Sequence, residues 1–308
     1  MTASLPADSW TRAVPQELPA LLDFLLPQEW RAVPFTSRLL RDGRAALPSR
    51  LNSAVAILKG ESNEVSTVRG AILRTAGGLL LPVMPYTPGP PEERAAELAA
   101  TPRPEPFLPR LLGERVYSIM GPISEVRWLE GGVDQEPAAS LDYALMTLGE
   151  TAFRRHRVPG PDALKGLRIR RADARDLNSL FPLQKSYELE EVVVFPERFS
   201  EQSCRLHLRQ TLRQQLVVVA ELSGTAIAKA GTNARGFQVD QIGGVFTEER
   251  YRGSGIGALV MTALLERIFR TKRMVSLFVK TTNLPAMALY RKLGFQSLDG
   301  YRIAYYRF

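Results

Sequence analysis

The chain is poor in the residues that cross-link or bind metal. Cys204 is its one cysteine, and His156 and His207 are its two histidines. No disulfide framework and no cysteine-histidine zinc cluster can be written from these, and no metal is expected. Scarce thiol fits a reducing, cytoplasmic setting. No stretch approaches the roughly 20 consecutive apolar residues that a membrane span requires. The opening "MTASLPADSWTRAVPQELPALLDFLLPQEW" sets acids and a tryptophan around its apolar run, unlike a signal peptide. Acid is scarce in one half only. Residues 1–166 hold 18 Lys+Arg against 19 Asp+Glu, whereas residues 167–308 hold 22 against 13, so net charges of −1 and +9 make up the total of +8. A basic surface admits nucleic acid or a multiply phosphorylated cofactor. No helix-turn-helix or aromatic-basic RNA motif accompanies the charge, so a nucleic-acid partner is not expected.

At 308 residues, 45% hydrophobic and 23% charged, the chain reads as a soluble protein able to fill two cores. The strongest punctuation is "GETAFRRHRVPGPDALKG", residues 149–166, where helical pattern gives way to Pro-Gly-Pro and a closing glycine. It suggests domains over residues 1–160 and 161–308. "MPYTPGPPEERAAELAATPRPEPFLPR", residues 84–110, is too rich in proline for regular structure beyond a helical turn or two. Residues 70–85 support a hairpin, with two apolar runs flanking Gly77-Gly78.

The second half alternates strand and helix. A strand at Leu167–Arg171 precedes Asp173 as N-cap, and a helical stretch follows near Leu183–Glu191. Ser200 opens a helix with Cys204, Leu208 and Leu212 on one face. Three strand-like runs, "QLVVVAEL", "GTAIAKAGTN" and "FQVDQIGGVFT", form an antiparallel meander. The next segment, "RYRGSGIGALV", sets Gly253, Gly255 and Gly257 between a strand and a helix lined by Leu264, Leu265, Ile268 and Phe269. Glycine lets a ligand approach the backbone, and unpaired N–H groups at a helix start attract an anion. No Gly-Lys-Ser/Thr and no preceding parallel series is present, which argues against Walker and Rossmann loops. "MVSLFVK" is a strand, "NLPAMALYRKLGF" a helix between Asn283-Pro285 and Gly294, and "YRIAYYRF" a final strand.

These features resemble the GNAT family of acyl-CoA N-acyltransferases. The family's [Arg/Gln]-x-x-Gly-x-[Gly/Ala] loop is matched by "RGSGIG", Arg252, Gly253, Ser254, Gly255, Ile256 and Gly257, and its second signature by Asn283, Ala286, Leu289-Tyr290 and Gly294-Phe295. The resemblance covers residues 167–308. It implies an α/β fold with a mixed, mainly antiparallel sheet, and acetyl-CoA as co-substrate for acetylation of an amine. It implies further that the loop holds the pyrophosphate and that the backbone of Val245, Phe246 and Thr247 binds the pantetheine arm and acyl carbonyl. Tyr290 would protonate the leaving thiolate. Asn283 stands both as N-cap and as a residue turned toward the cofactor. Two candidates for the general base are Asp240, out of phase with Val245 on its strand, and the acids Glu188, Glu190 and Glu191, among them Glu191. Those acids also read as a solvated helix face. The acceptor is a small-molecule or peptide amine that the sequence does not specify. A non-catalytic acyl-CoA-binding module is the alternative.

The first half resembles the amino-terminal part of two-domain members, a smaller, degenerate GNAT-like domain without a cofactor site. No Arg-x-x-Gly-x-Gly loop occurs in residues 1–166.

Overall fold

The computed structural model describes residues 9–41, 43–48, 53–60, 67–89, 91–102, 116–155 and 166–307. Residues 156–165, the Pro-Gly-Pro stretch that suggested a boundary at 160, lie outside them, as does His156. The chain forms two compact units. One holds the described residues up to Leu145 together with those from Asp299, and the other is Met146–Leu298. The division therefore falls at 145, and the last strand from Asp299 onward belongs with the first unit.

The elements, in chain order, are β1 (Ser9–Arg12), α1 (Leu18–Leu25), α2 (Glu29–Leu39), β2 (Leu40–Arg41), β3 (Arg44–Ala45), β4 (Ala54–Gly60), β5 (Thr67–Arg74), β6 (Leu79–Val83), α3 (Pro91–Ala99), β7 (Ser118–Pro122), α4 (Ile123–Glu130) and β8 (Ala139–Gly149). They continue with α5 (Glu150–Arg155), β9 (Leu167–Arg171), α6 (Leu177–Tyr187), α7 (Glu201–Gln214), β10 (Val217–Leu222), β11 (Thr225–Arg235), β12 (Val239–Thr247), α8 (Ile256–Ile268), β13 (Met274–Lys280), α9 (Leu284–Lys292) and β14 (Gln296–Tyr305).

In the first unit β1, β4, β5 and β6 pair antiparallel in that order, and β6 then pairs parallel with β7. In the second unit β9, β10, β11 and β12 pair antiparallel, and β12 pairs parallel with β13. A strand, two helices, an antiparallel meander, a helical crossover to a parallel strand, a helix and a last strand thus occur twice in the chain. The sheets are mixed and mainly antiparallel, as expected. The last strand departs from a simple repeat, because β14 pairs antiparallel with β7, Tyr301↔Pro122 to Tyr305↔Ser118. Alternation explains why it is accepted there: Tyr301 and Ile303 are both buried, so one face of the strand is apolar.

Each unit has its own core. The first packs Trp10, Ile72, Leu80, Ile119, Trp128 and Tyr306 together, with the two indoles 6.0 Å apart. The second packs Leu180, Leu183, Cys204, Leu208, Val219 and Phe246. Side chains of this size stabilise by about 1.5–3 kcal/mol each when fully buried. The hairpin at Gly77-Gly78 forms as read: Gly78 has φ 77°, and Thr75 N–H bonds to Leu79 O at 2.9 Å. Among the described residues no helix is long and apolar enough to cross a membrane.

Candidate functional site

The site is built around the end of β12. Its parallel pairing with β13 runs from Val239↔Met274 to Ile242↔Leu277 and goes no further. On the other edge Phe246 and Thr247 still pair with Lys229 and Ala228 of β11. Gly244 sits at φ 63° where the register with β11 shifts, which identifies a β-bulge. Beyond the last β13 pair the segment Gly243–Val245 is only partly buried, so the strand presents backbone on the side it has left.

Thr247 leads through a short helical turn into the glycine loop. Gly253 and Gly255 have φ 76° and 81°, a region that costs an L-residue roughly 1–2 kcal/mol. No backbone acceptor among the described residues takes the N–H of Gly253, Ser254 or Gly255. Ile256 and Gly257 occupy the first turn of α8, where a helix offers no acceptor. Arg252 differs, because its N–H bonds to Glu249 O at 3.0 Å. A Cβ built on Gly253 would meet nothing within 4 Å, whereas one on Gly257 would meet Thr247 Oγ1 at 3.4 Å and Leu289 Cδ2 at 3.5 Å. The loop is open outward and close-packed inward, against the end of β12 and helix α9.

Of the acids after α6, Glu190 is exposed and Glu188 and Glu191 are partly buried, and all three have side-chain partners. Glu188–Val192 forms one turn of π-helix, a geometry frequent at functional positions. Glu190 Oε2 accepts from Arg252 Nη2 at 2.8 Å. Arg252 also donates from Nε to Thr247 O at 3.0 Å and lies 5.2 Å from the Phe246 ring centroid. Glu191 accepts from Asn283 Nδ2 at 2.9 Å and lies 3.5 Å from Lys280 Nζ. Glu188 accepts from Gln184 Nε2 at 2.8 Å and lies 3.2 Å from His207 Nδ1. Burial opposes ionisation of Glu188, and the hydrogen bonds from His207 and Gln184 overcome it and hold its pKa below the usual value. The turn is therefore stitched to the phosphate-type loop at Arg252 and to α9 at Asn283.

Asn283 caps α9, its Oδ1 accepting from Ala286 N–H at 3.1 Å. Tyr290, about two helix turns further on, is 7% exposed, with its ring 5.8 Å from that of Phe295. Burial raises its pKa well above the ordinary phenol, and the nearby Tyr187 and Glu191 raise it further. The hydroxyl thus keeps its proton at neutral pH, as a proton donor must.

The structure does not bring Asp240 to this group. It lies five residues before Val245, about 17 Å along an extended strand, is 1% exposed, and is held between Arg235 Nε at 3.3 Å and Lys272 Nζ at 3.5 Å. Burial raises its pKa and the two cations oppose that shift. One side chain absent from the sequence reading does belong here. Lys229 Nζ donates to Gly244 O at 2.8 Å and lies 4.4 Å from the Tyr187 ring centroid. Its only signal was a lone lysine in the otherwise uncharged run "TAIAKAG".

Residues 180–295 match the profile of the Acetyltransferase (GNAT) family. The N-alpha-acetyltransferase RimI of Mycobacterium tuberculosis is 38% identical over 96 residues, which cover 29% of this chain and 57% of that protein. The chain thus spans little more than half the length of that relative. A solved Drosophila protein superposes with a TM-score of 0.61 at 14% identity, over 97% of this chain and 98% of the other. A tandem GNAT protein from the clavulanic acid biosynthesis pathway gives 0.53 at 14%, over 96% and 97%. A GCN5-related N-acetyltransferase from Sphaerobacter thermophilus gives 0.54 at 18%, over 97% and 96%. Fold and profile agree over the second unit, within which residues 180–295 match the acetyltransferase (GNAT) family.

Proposed function

We propose that the second unit transfers an acetyl group from acetyl-CoA to a primary amine by direct attack on the thioester. The observation that carries this reading is the run of N–H groups at Gly253–Gly257 left without a backbone acceptor, after the edge of β12 that β13 no longer pairs. Acetyl-CoA supplies the acetyl group as a thioester. The loop and the positive end of α8 suit its pyrophosphate, and the edge at Val245–Thr247 suits its pantetheine arm and acyl carbonyl. The π-helical turn, with Glu190 and Glu191, would attract the acceptor's ammonium. Glu191 is our choice of proton acceptor over Asp240, because it shares the site with Asn283 and Tyr290. The amine nitrogen forms the new C–N bond, the C–S bond breaks, the amine's proton passes to the base, and Tyr290 protonates the departing sulfur.

Similarity to RimI makes α-amino groups of peptides the first acceptors to test. An acetyl-CoA consumption assay across peptides, amino acids, polyamines and aminoglycosides should show turnover with at least one. Tight acetyl-CoA binding with no turnover on any would favour an acyl-CoA-binding module. The first unit, in our reading, is the degenerate half. Where the second unit has glycines between its meander and crossover helix, the first has Pro85, Pro88 and Pro91. Proline has no N–H to give an anion, and Glu92 and Glu93 open the helix that follows, which repels one.

A further inference from the structure

Lys229 is an unexpected residue for its position. It stands in the middle of β11, 5% exposed, between Ala228 and Ala230, which are fully buried. Three groups compensate the buried charge: the Gly244 carbonyl at 2.8 Å, the face of Tyr187 at 4.4 Å and the charge of Glu188. Around Glu188 stand Gln184, His207 and the thiol of Cys204. The titratable groups that face Lys229 are thus Tyr187 of α6, Glu188 of the π-helical turn and Cys204 of α7. Burial pushes Lys229 down to about 7, with Glu188 and then Cys204 opposing.

Its acceptor is the carbonyl of the bulge. Gly244 C=O and Val245 N–H are the two ends of one planar, trans peptide, so they point in opposite directions. An ammonium hydrogen-bonded to the oxygen draws charge toward itself and makes the N–H at the other end a better donor. Val245 is the first of the residues whose backbone suits the acyl carbonyl.

We propose that Lys229 is a positioning residue of the transfer reaction: its ammonium fixes the Gly244 bulge and polarises the Gly244–Val245 peptide, strengthening Val245 N–H as a donor to the acyl oxygen. This rests on the acetyltransferase reading above. A salt link serving stability alone would not need the bulge carbonyl. The charged form prevails at low pH and is lost as pH rises through neutrality, so its contribution to turnover falls over that range, against the rise from deprotonation of the acceptor amine.

The test has two arms on the full chain. With isotope-labelled valine and no acetyl-CoA, the Val245 amide resonance should titrate across neutral pH in the wild type and stay flat in Lys229→Met. In the transfer assay Lys229→Met should lower kcat about tenfold or more, leave acetyl-CoA affinity within about twofold, and abolish the falling alkaline limb. Lys229→Arg, which keeps its charge, should restore kcat without that limb. If no acceptor turns over, the function reading fails while the resonance still reports the coupling. A Val245 resonance unmoved by pH in the folded wild type overturns the proposal even if Lys229→Met does not fold. Wild-type kcat and pH profile in Lys229→Met also overturn it.

Discussion

Gly253→Ala isolates what the glycine loop is for. Its φ of 76° is strained for alanine by about 1–2 kcal/mol, and the added methyl meets nothing within 4 Å, so backbone strain is the whole cost in the free protein. Gly224, in the turn between β10 and β11, is a matched control: φ is 81° and a Cβ there also meets nothing. If each variant keeps its loop, each loses about 1–2 kcal/mol, and Tm falls by roughly 2–4 °C per kcal/mol. If the loop at 253 relaxes to escape the strain, that energy is returned on binding, and acetyl-CoA affinity falls about five- to thirty-fold. The open space beside Gly253 is also where the phosphates would lie, so the methyl adds steric loss to that figure. Thermal melts and calorimetry on both variants give the answer. Similar melting shifts with weakened binding only in Gly253→Ala support the cradle. Equal affinity in the two variants would refute the reasoning.

Tyr290→Phe should leave the chain folded and acetyl-CoA affinity close to wild type, because the ring packing on Phe295 survives, while kcat falls about 10²-fold; an unchanged kcat in a steady-state assay assigns the residue to packing. Cys204 is 1% exposed and its thiol is pushed up to about 12 by burial and then by Glu188. It should react with an alkylating reagent near neutral pH only after unfolding, and mass spectrometry that finds fast labelling of the native chain would contradict this.

The second half was legible because its chemistry is local. Left-handed glycines, the Ser200 and Asn283 caps and the meander of β10–β12 each arise from residues close together in the chain, and all appear in the structure. The capping by Asn283 was written in the sequence; its bond to Glu191, 92 residues away in the chain, was not. The same holds for the acids Glu188, Glu190 and Glu191, whose partners come from α7, α9 and the loop, so their charge pattern looked like a solvated face. Lys229 reads as an ordinary strand residue until the bulge carbonyl is placed above it. The first half was hard to read because prolines stand where the second has glycines, so the repeat survives in topology and not in motif. The destination of β14 is a long-range pairing with β7, and nothing in "YRIAYYRF" names its partner strand.

The central claim is that the chain holds acetyl-CoA once, on the N–H groups of Gly253–Gly257. Calorimetry of acetyl-CoA into the full-length protein tests it most directly, with Gly255→Glu alongside to place a side chain and a like charge at the left-handed cap of α8. The wild type should bind one equivalent per chain and the variant none. Two equivalents, or one that survives the substitution, would contradict it.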